Sequence, residues 1–148
     1  MSFQPAKPAR ILVVAGDSTL DRSLLSAVAR RAMRSPADFT LLIPAVAHGL
    51  HRVVDPEDHG TGDAEAALEA AIPVMSQAAG APVIGVVGGH DPFAAVWDAL
   101  NFGAYDEVIL ATRSSRLLRW LRLDLARRIA ALGVPVTAVV AGGLPQAA

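Results

Sequence analysis

The sequence contains no cysteine, which excludes disulfide bonds, thiolate zinc sites and catalysis by a thiol. It also lacks an excess of charge, since 13 basic and 14 acidic residues leave a net charge of -1. Broad affinity for nucleic acid needs a basic face, so we expect no nucleic-acid partner. No apolar run reaches the ~18 residues of a membrane span, and the opening MSFQPAKPAR lacks the apolar centre of a signal peptide. We therefore expect a soluble, cytoplasmic protein without a membrane partner.

Apolar residues are abundant. Of the 148 residues, 53% are hydrophobic and 18% are charged, so the chain can bury a full core. This length is typical of one domain, and we expect a single domain over residues 1–148. Its two ends, residues 1–9 and 142–148, are expected to be flexible tails.

Five apolar segments alternate with segments that have helical periodicity. Continuous apolar runs with many β-branched residues are typical of strands buried on both faces. The alternation predicts an α/β domain with a parallel five-stranded sheet between two layers of helices. Ligands of such sheets bind in the crevice at the carboxyl ends of the strands. The predicted strands are residues 11–16, 39–46, 82–87, 106–111 and 134–140.

Capping residues and prolines predict where the helices begin and end. Asp17 or Ser18 is expected to cap the first helix, over residues 21–33. A second helix is expected to start at Asp63, with a kink or restart at Pro73. Asp91, followed by a proline at the first helical position, is expected to cap the third helix.

Several phrases resemble the universal stress protein family over nearly the whole chain, from ILVVAGDS to VPVTAVV. The most telling are GGHDPFAAVWDALNFGAYDEVILAT and GVPVTAVV, which look like the family's capped helix, fourth strand, phosphate loop and last strand. The phrase RWLRLDL is similar to an actinobacterial branch with a degenerate ATP-binding motif. The resemblance implies a Rossmann-like, adenine nucleotide alpha hydrolase-like sandwich with strand order 3-2-1-4-5. It also implies a homodimer through the edge strand Val134 to Val140, which no charged residue interrupts.

In nucleotide-binding members of that family, a glycine signature follows the fourth strand. Laid on this chain without gaps, its four positions fall on Ala111, Ser114, Asp124 and Leu125, none of which matches. Glycines let the backbone approach phosphates, whereas Asp124 would repel a phosphate and is a good cap for the last helix. After the first strand, Gly-Asp-Ser stands where family members with ATP carry Asp-Gly-Ser. These departures predict that ATP does not bind and that the protein has no cofactor.

The stretch ATRSSRLLRWLRLDLARRI holds six of the twelve arginines. Four of them recur every three residues, so one helical turn would align them. They form either an anion site built from guanidinium groups or a solvated rim, and a charge run is usually a solvated face. If a nucleotide or anion binds, we expect the ligand-binding residues to be Asp17, Arg113, Ser114, Ser115, Arg116 and Arg119.

A polar segment between the second strand and the second helix is rich in histidine and aspartate. Such side chains can build a metal site. No pair has HxH or HxxxH spacing, so we expect a polar loop without metal. The residues are His48, His51, Asp55, Asp58, His59 and Asp63.

Catalytic motifs are also missing. His90 and Asp91 are interpreted as a turn residue and a helix cap, and neither a Ser-His-Asp arrangement nor a nucleophile elbow is present. Our first hypothesis is therefore a non-catalytic, dimeric stress or regulatory protein. A nucleotide or anion binder with an arginine-rich loop is the alternative. An enzyme acting on a small phosphorylated compound has the least support.

Overall fold

The computed structural model describes residues 7–16, 21–45, 56–89, 91–113 and 124–141. Its strands form one parallel sheet in the order β3-β2-β1-β4-β5, which confirms the expected fold class and strand order. No helix in these ranges is long and apolar enough to cross a membrane. The strands are β1 (Ala9–Val14), β2 (Ala37–Pro44), β3 (Ile84–Gly88), β4 (Glu107–Arg113) and β5 (Val136–Ala141). The helices are α1 (Arg22–Arg34), α2 (Pro56–Ala79) and α3 (Pro92–Phe102), and residues 124–130 are also helical.

Alternate residues of the central strands pack against opposite helical layers. On β1, Ile11 and Val13 belong to the core under α1 and α2, whereas Leu12 and Val14 belong to the core under α3 and residues 124–130. This alternation follows from strand geometry, in which successive side chains point to opposite faces. Burial on both faces explains why the segment reads as a continuous apolar run.

α1 begins at a cap that the sequence analysis did not choose. The carboxylate of Asp21 accepts hydrogen bonds from the backbone N–H groups of Ser23 and Leu24, at 3.0 and 3.2 Å. Asp21 is therefore the N-cap, and the prediction of Asp17 or Ser18 is wrong. An N-cap side chain bonds the N–H groups two or three residues after it, which neither of those residues can do for a helix beginning at residue 22.

α3 begins as the sequence indicates. The Asp91 carboxylate accepts hydrogen bonds from the N–H groups of Phe93 and Ala94, at 2.9 and 3.4 Å. Pro92 occupies the first helical position, where its missing N–H group needs no helical partner. The helix N-terminus is thus satisfied by its own cap.

α2 is longer than the sequence predicts. It continues without interruption over Pro56–Ala79, so the predicted start at Asp63 and the predicted restart at Pro73 are wrong, while the alternative of a kink at Pro73 stays a prediction. The helix begins at a proline, which is favoured at that position. Pro73 offers no N–H group to the carbonyl of Glu69, but both residues are exposed, so water can bond that carbonyl. Gly80 ends the helix as expected, with a φ of +72°.

The first strand starts earlier than expected. Ala9 pairs with Ala37, and its N–H group donates to the carbonyl of Pro36 at 3.0 Å. Residue 9 is therefore part of the sheet, which corrects the expectation that the flexible tail extends through it. The backbone hydrogen bond to the start of β2 fixes its position.

β3 is buried on one face only, although its apolar sequence predicts burial on both. Gly85 lies under α2, where an added Cβ would be 2.7 Å from Leu68 Cδ1. On the α3 face of the same strand, the side chains of Ile84 and Val86 are 67% and 43% exposed. The apolar pattern identified the strand correctly but did not reveal that its α3 face is open.

Candidate functional site

The crevice at the carboxyl ends of β1 and β4 is the candidate ligand site. These strands are neighbours, with Val14 paired to Leu110, although more than ninety residues separate them in the chain. From β1 the chain builds the sheet outward through β2 and β3, and it then crosses back to add β4 and β5 on the other side. Such a reversal of strand order is where open α/β sheets bind ligands.

The residues predicted to bind a ligand belong to the chain segments that follow β1 or end β4. The chain that carries Asp17 continues from β1, and the chain that carries Arg113 and its neighbours continues from β4. The backbone of Arg113 pairs with Ala141 at the end of β4. The other five predicted residues, Asp17, Ser114, Ser115, Arg116 and Arg119, lie outside the described residues.

A glycine ends the described part of the chain after β1. Gly16 follows the strand, and no described heavy atom lies within 4 Å of the position that a Cβ would occupy. Its φ is not positive, so the glycine is not required by a left-handed turn.

The first position of the glycine signature falls inside β4. Ala111 is buried and pairs with Val139 of β5, and pairing continues through Thr112 and Arg113. The sequence analysis placed Ala111 at the end of the fourth strand, which the structure confirms, and the strand continues two residues beyond it. Pairing with β5 keeps the backbone of residues 111–113 in the extended conformation of a strand.

Asp124, at the third signature position, is exposed and already helical. A cap residue lies outside the helix that it caps, so the expectation that Asp124 is the N-cap is wrong. The exposed carboxylate is carried by the first described turn of the last helix, which packs Leu125 and Ile129 towards the α3 side of the sheet.

Most of the polar segment that was considered as a metal site lies outside the described residues. His48, His51, Asp55 and His90 lie outside the described residues, and the structure describes only the backbone of residues 58, 59 and 63. Within the described part of the chain, no group of three or more histidine, cysteine, aspartate or glutamate side chains is placed to hold a metal ion.

A forked ion pair joins α1 to the start of β4. Nε and Nη2 of Arg31 donate to the two carboxylate oxygens of Glu107, at 2.8 and 3.0 Å, and Nη1 donates to the Ser35 hydroxyl at 3.0 Å. The hydrogen bonds between Arg31 and Glu107 raise the pKa of Arg31 and lower the pKa of Glu107, while partial burial opposes both changes. Because Glu107 is the first residue of β4, the pair lies at the end of the strand opposite the crevice. Its role is structural.

A second concave surface, which the sequence analysis missed, lies between α3 and the open face of β3. We call it the α3 groove. It encloses about 360 Å³. A possible signal was the uncharged strand sequence IGVVG followed by Phe102 at the end of the next helix. The groove is lined by Arg10, Leu42, Val86, Val87, Gly88, Gly89, Ala95, Asp98, Ala99, Phe102, Gly103 and Tyr105.

Comparison with known proteins identifies the architecture. Neither the family models nor the curated proteins give a match to this sequence. Among solved structures, UspA from Lactobacillus plantarum superposes with a TM-score of 0.63 at 14% identity, over 92% of this chain and 99% of that one. The chain has the universal stress protein fold. Helices on both faces of a sheet in the order 3-2-1-4-5 are the features that it shares with these proteins.

Two further structures with the universal stress protein fold contain a nucleotide. The Archaeoglobus fulgidus protein in complex with dAMP has a TM-score of 0.56 at 13% identity, over 90% of this chain and 98% of that one. A universal stress protein in complex with cAMP has a TM-score of 0.55 at 18% identity, over 89% of this chain and 95% of that one. At these identities the likeness concerns the fold.

Proposed function

We propose that this chain is a universal stress protein-like, non-catalytic regulatory protein that acts as a cytoplasmic homodimer without ATP. The observation that supports it best is the placement of Ala111. Where the resemblance calls for a glycine that opens a phosphate loop, the chain has a buried alanine in a strand ladder.

Three departures act together against a triphosphate at the crevice. A phosphate loop needs a backbone with free N–H groups that point at the ligand, whereas the backbone at Ala111 is engaged with β5. The side chain at this position adds bulk that glycine lacks. Asp124 adds a negative charge on the last helix, and like charges repel.

The exposed edge of β5 supports the homodimer. β5 is an outer strand of the sheet, and it carries no charged residue or proline between Val136 and Val140. Thr137, Ala138 and Val140 are exposed. An outer strand of this kind is suited to pairing with another chain. Val140→Lys should therefore weaken the dimer, while Val140→Thr should keep it, as measured by light scattering on eluted protein.

A thermal-shift screen tests the absence of ATP. Unfolding of the purified chain would be followed with ATP, ADP, AMP, cyclic AMP or phosphate, each with and without magnesium. A ligand at 100 times its Kd adds about 2.7 kcal/mol to the free energy of unfolding, or several degrees in Tm for a domain of this size. We expect no shift with ATP. A saturable shift with ATP would contradict the proposal.

A nucleotide or anion binder is the second candidate. It is favoured by the adjacency of the two chain segments that carry Asp17 and Arg113 at the switch point, and by the nucleotide complexes of two structures with the same fold. On this hypothesis cyclic AMP, AMP or phosphate raises the Tm. The charge reversals Arg116→Glu and Arg119→Glu then abolish the shift, and Arg127→Glu, on the exposed side of the last helix, leaves it unchanged. Equal shifts in all three variants would exclude the arginine loop.

A further inference from the structure

The α3 groove is a wedge that narrows towards the carboxyl end of β3. At the narrow end, a Cβ added to Gly88 would lie 2.6 Å from the Cβ of Ala95, so helix and strand are in close contact there. At the wide end, the C-terminal turn of α3 leaves Val86 and Ile84 uncovered. Phe102 stands on the rim of this opening.

Val86 and Phe102 line the groove, and Ile84 lies two residues before Val86 on the same face of β3. Ile84 is 67% exposed, Val86 is 43% exposed and Phe102 is 93% exposed. Single apolar residues on a surface are ordinary, but a cluster beside a sheet edge is typical of a protein interaction site. β3 is also an outer strand without a charged residue or proline to discourage pairing.

One positive and one negative side chain border this apolar surface. Arg10 and Asp98 both line the groove, and neither forms an ion pair with any residue that the structure describes. The guanidinium of Arg10 lies 5.2 Å from the centre of the Tyr105 ring. The surface that complements the groove therefore has an apolar centre, one carboxylate and one cation.

The same groove on a second copy of this chain offers all three features. In a dimer with two-fold symmetry, every contact between two different residues occurs twice. If one residue of the first copy contacts another residue of the second copy, the same pair also meets with the two copies exchanged. We propose that two copies of this chain meet at the α3 groove, with the apolar cluster at the centre and Arg10 of each copy pairing with Asp98 of the other. This contact is separate from the β5 edge, because β3 and β5 are the opposite edges of the sheet.

A small molecule fits the same surface less well. Sites for small ligands bury most of the ligand in a concave pocket. Here the lining residue Phe102 is almost fully exposed and Val86 is 43% exposed, so the wide end of the groove would leave one side of a ligand in water. An apolar centre with a polar rim is the arrangement found in protein interfaces.

The first test compares two exposed apolar residues on opposite sides of the molecule. Phe102→Lys changes the rim of the groove, and the control Met33→Lys changes α1, where Met33 is 86% exposed. Both are made in the Val140→Lys background, which removes pairing through β5. Sedimentation equilibrium should show self-association that Phe102→Lys weakens at least tenfold and Met33→Lys leaves unchanged. A monomeric background protein, or equal effects of both changes, would overturn the proposal.

Cross-linking then identifies the contact directly. Because the chain has no cysteine, each introduced cysteine reports one position. With a short bismaleimide, Phe102→Cys should give a covalent dimer and Met33→Cys should not. If Val140→Cys gives a covalent dimer and Phe102→Cys does not, the chain pairs through β5 and the groove interface is wrong. The groove would then bind a different protein or a small ligand.

A charge exchange tests the reciprocal pairing. Arg10→Glu or Asp98→Arg alone would place like charges opposite each other at two points, and each should weaken association about tenfold. The double variant restores both pairs and should recover most of the affinity. If the double variant associates no better than the weaker single variant, the proposed two-fold arrangement is wrong.

Discussion

The two faces of β3 are covered to different extents. On one face α2 packs so closely that Gly85 has no room for a side chain beside Leu68 and Ile72. On the other face Ile84 and Val86 reach solvent. The covering helices differ in length, since 24 residues of α2 span about 36 Å and 11 residues of α3 span about 16 Å. A short helix held close to the strand at one end leaves the rest of an edge strand open.

The largest expected difference between the faces is in the core of β2. Leu41 and Leu42 are adjacent and buried, but Leu41 faces α1 and α2 while Leu42 borders the α3 groove. Leu41→Ala should lower the free energy of unfolding by about 3–4 kcal/mol, because it leaves a closed cavity. Leu42→Ala should cost about 2 kcal/mol, because the removed atoms border a groove that water already reaches. Urea unfolding measures both, and equal costs would contradict the contrast between the faces.

A glycine on the covered face provides the next test. An added Cβ on Gly85 would lie 2.7 Å from Leu68 Cδ1 and 2.9 Å from Ile72 Cδ1. Gly85→Ala should therefore cost about 2 kcal/mol through overpacking.

The control for that substitution is Gly89→Ala, one residue beyond the strand. Gly89 is exposed, and no described atom lies within 4 Å of its added Cβ. Its cost should stay within about 0.5 kcal/mol. If Gly85→Ala were as mild as this control, α2 would have to be more adaptable than its packing indicates.

The sequence predicted the central part of this fold well. β1 and β4 are continuous apolar runs because both faces are buried, and such runs have a simple pattern. The Asp91-Pro92 cap was equally readable, since it depends on local hydrogen bonds.

What could not be predicted depends on how elements sit against one another. The early start of α2 was hidden by glycines in a polar segment, although a proline followed by two acidic residues was a start signal. The exposure of Ile84 depends on where α3 ends, which no periodicity within β3 records. Of the candidate site, the topology shows that β1 and β4 are neighbours, while the ligand-binding roles of the residues beyond them stay predictions.

A smaller effect is expected from the ion pair between Arg31 of α1 and Glu107 of β4. Glu107→Gln removes the charge that faces Arg31 and should cost about 1 kcal/mol at neutral pH. The pKa of Glu107 is lowered below its ordinary 4.5 in the folded chain. The stability that it contributes is therefore present above pH 4.5 and is lost as the pH falls through the lowered pKa.

The pH dependence separates this pair from general acid sensitivity. The stability gap between the wild type and Glu107→Gln should shrink as the pH falls below 4.5. The control Glu69→Gln changes an exposed residue of α2, and its gap should be small throughout. A gap for Glu107→Gln that does not change with pH would mean that the lost interaction does not depend on the charge of this carboxylate.

The smallest effect on folding is expected on the open face itself. Ile84→Thr should change the free energy of unfolding by less than about 0.5 kcal/mol, because the side chain already lies mostly in water. The matched change Val87→Thr, on the same strand but against the covered core, should cost at least about 1 kcal/mol.

Denaturation of Ile84→Thr at low and at high protein concentration completes the comparison. A cost for Ile84→Thr that grows with concentration would show that its face is buried between copies, whereas a large cost at every concentration would show that the face is closed within one chain.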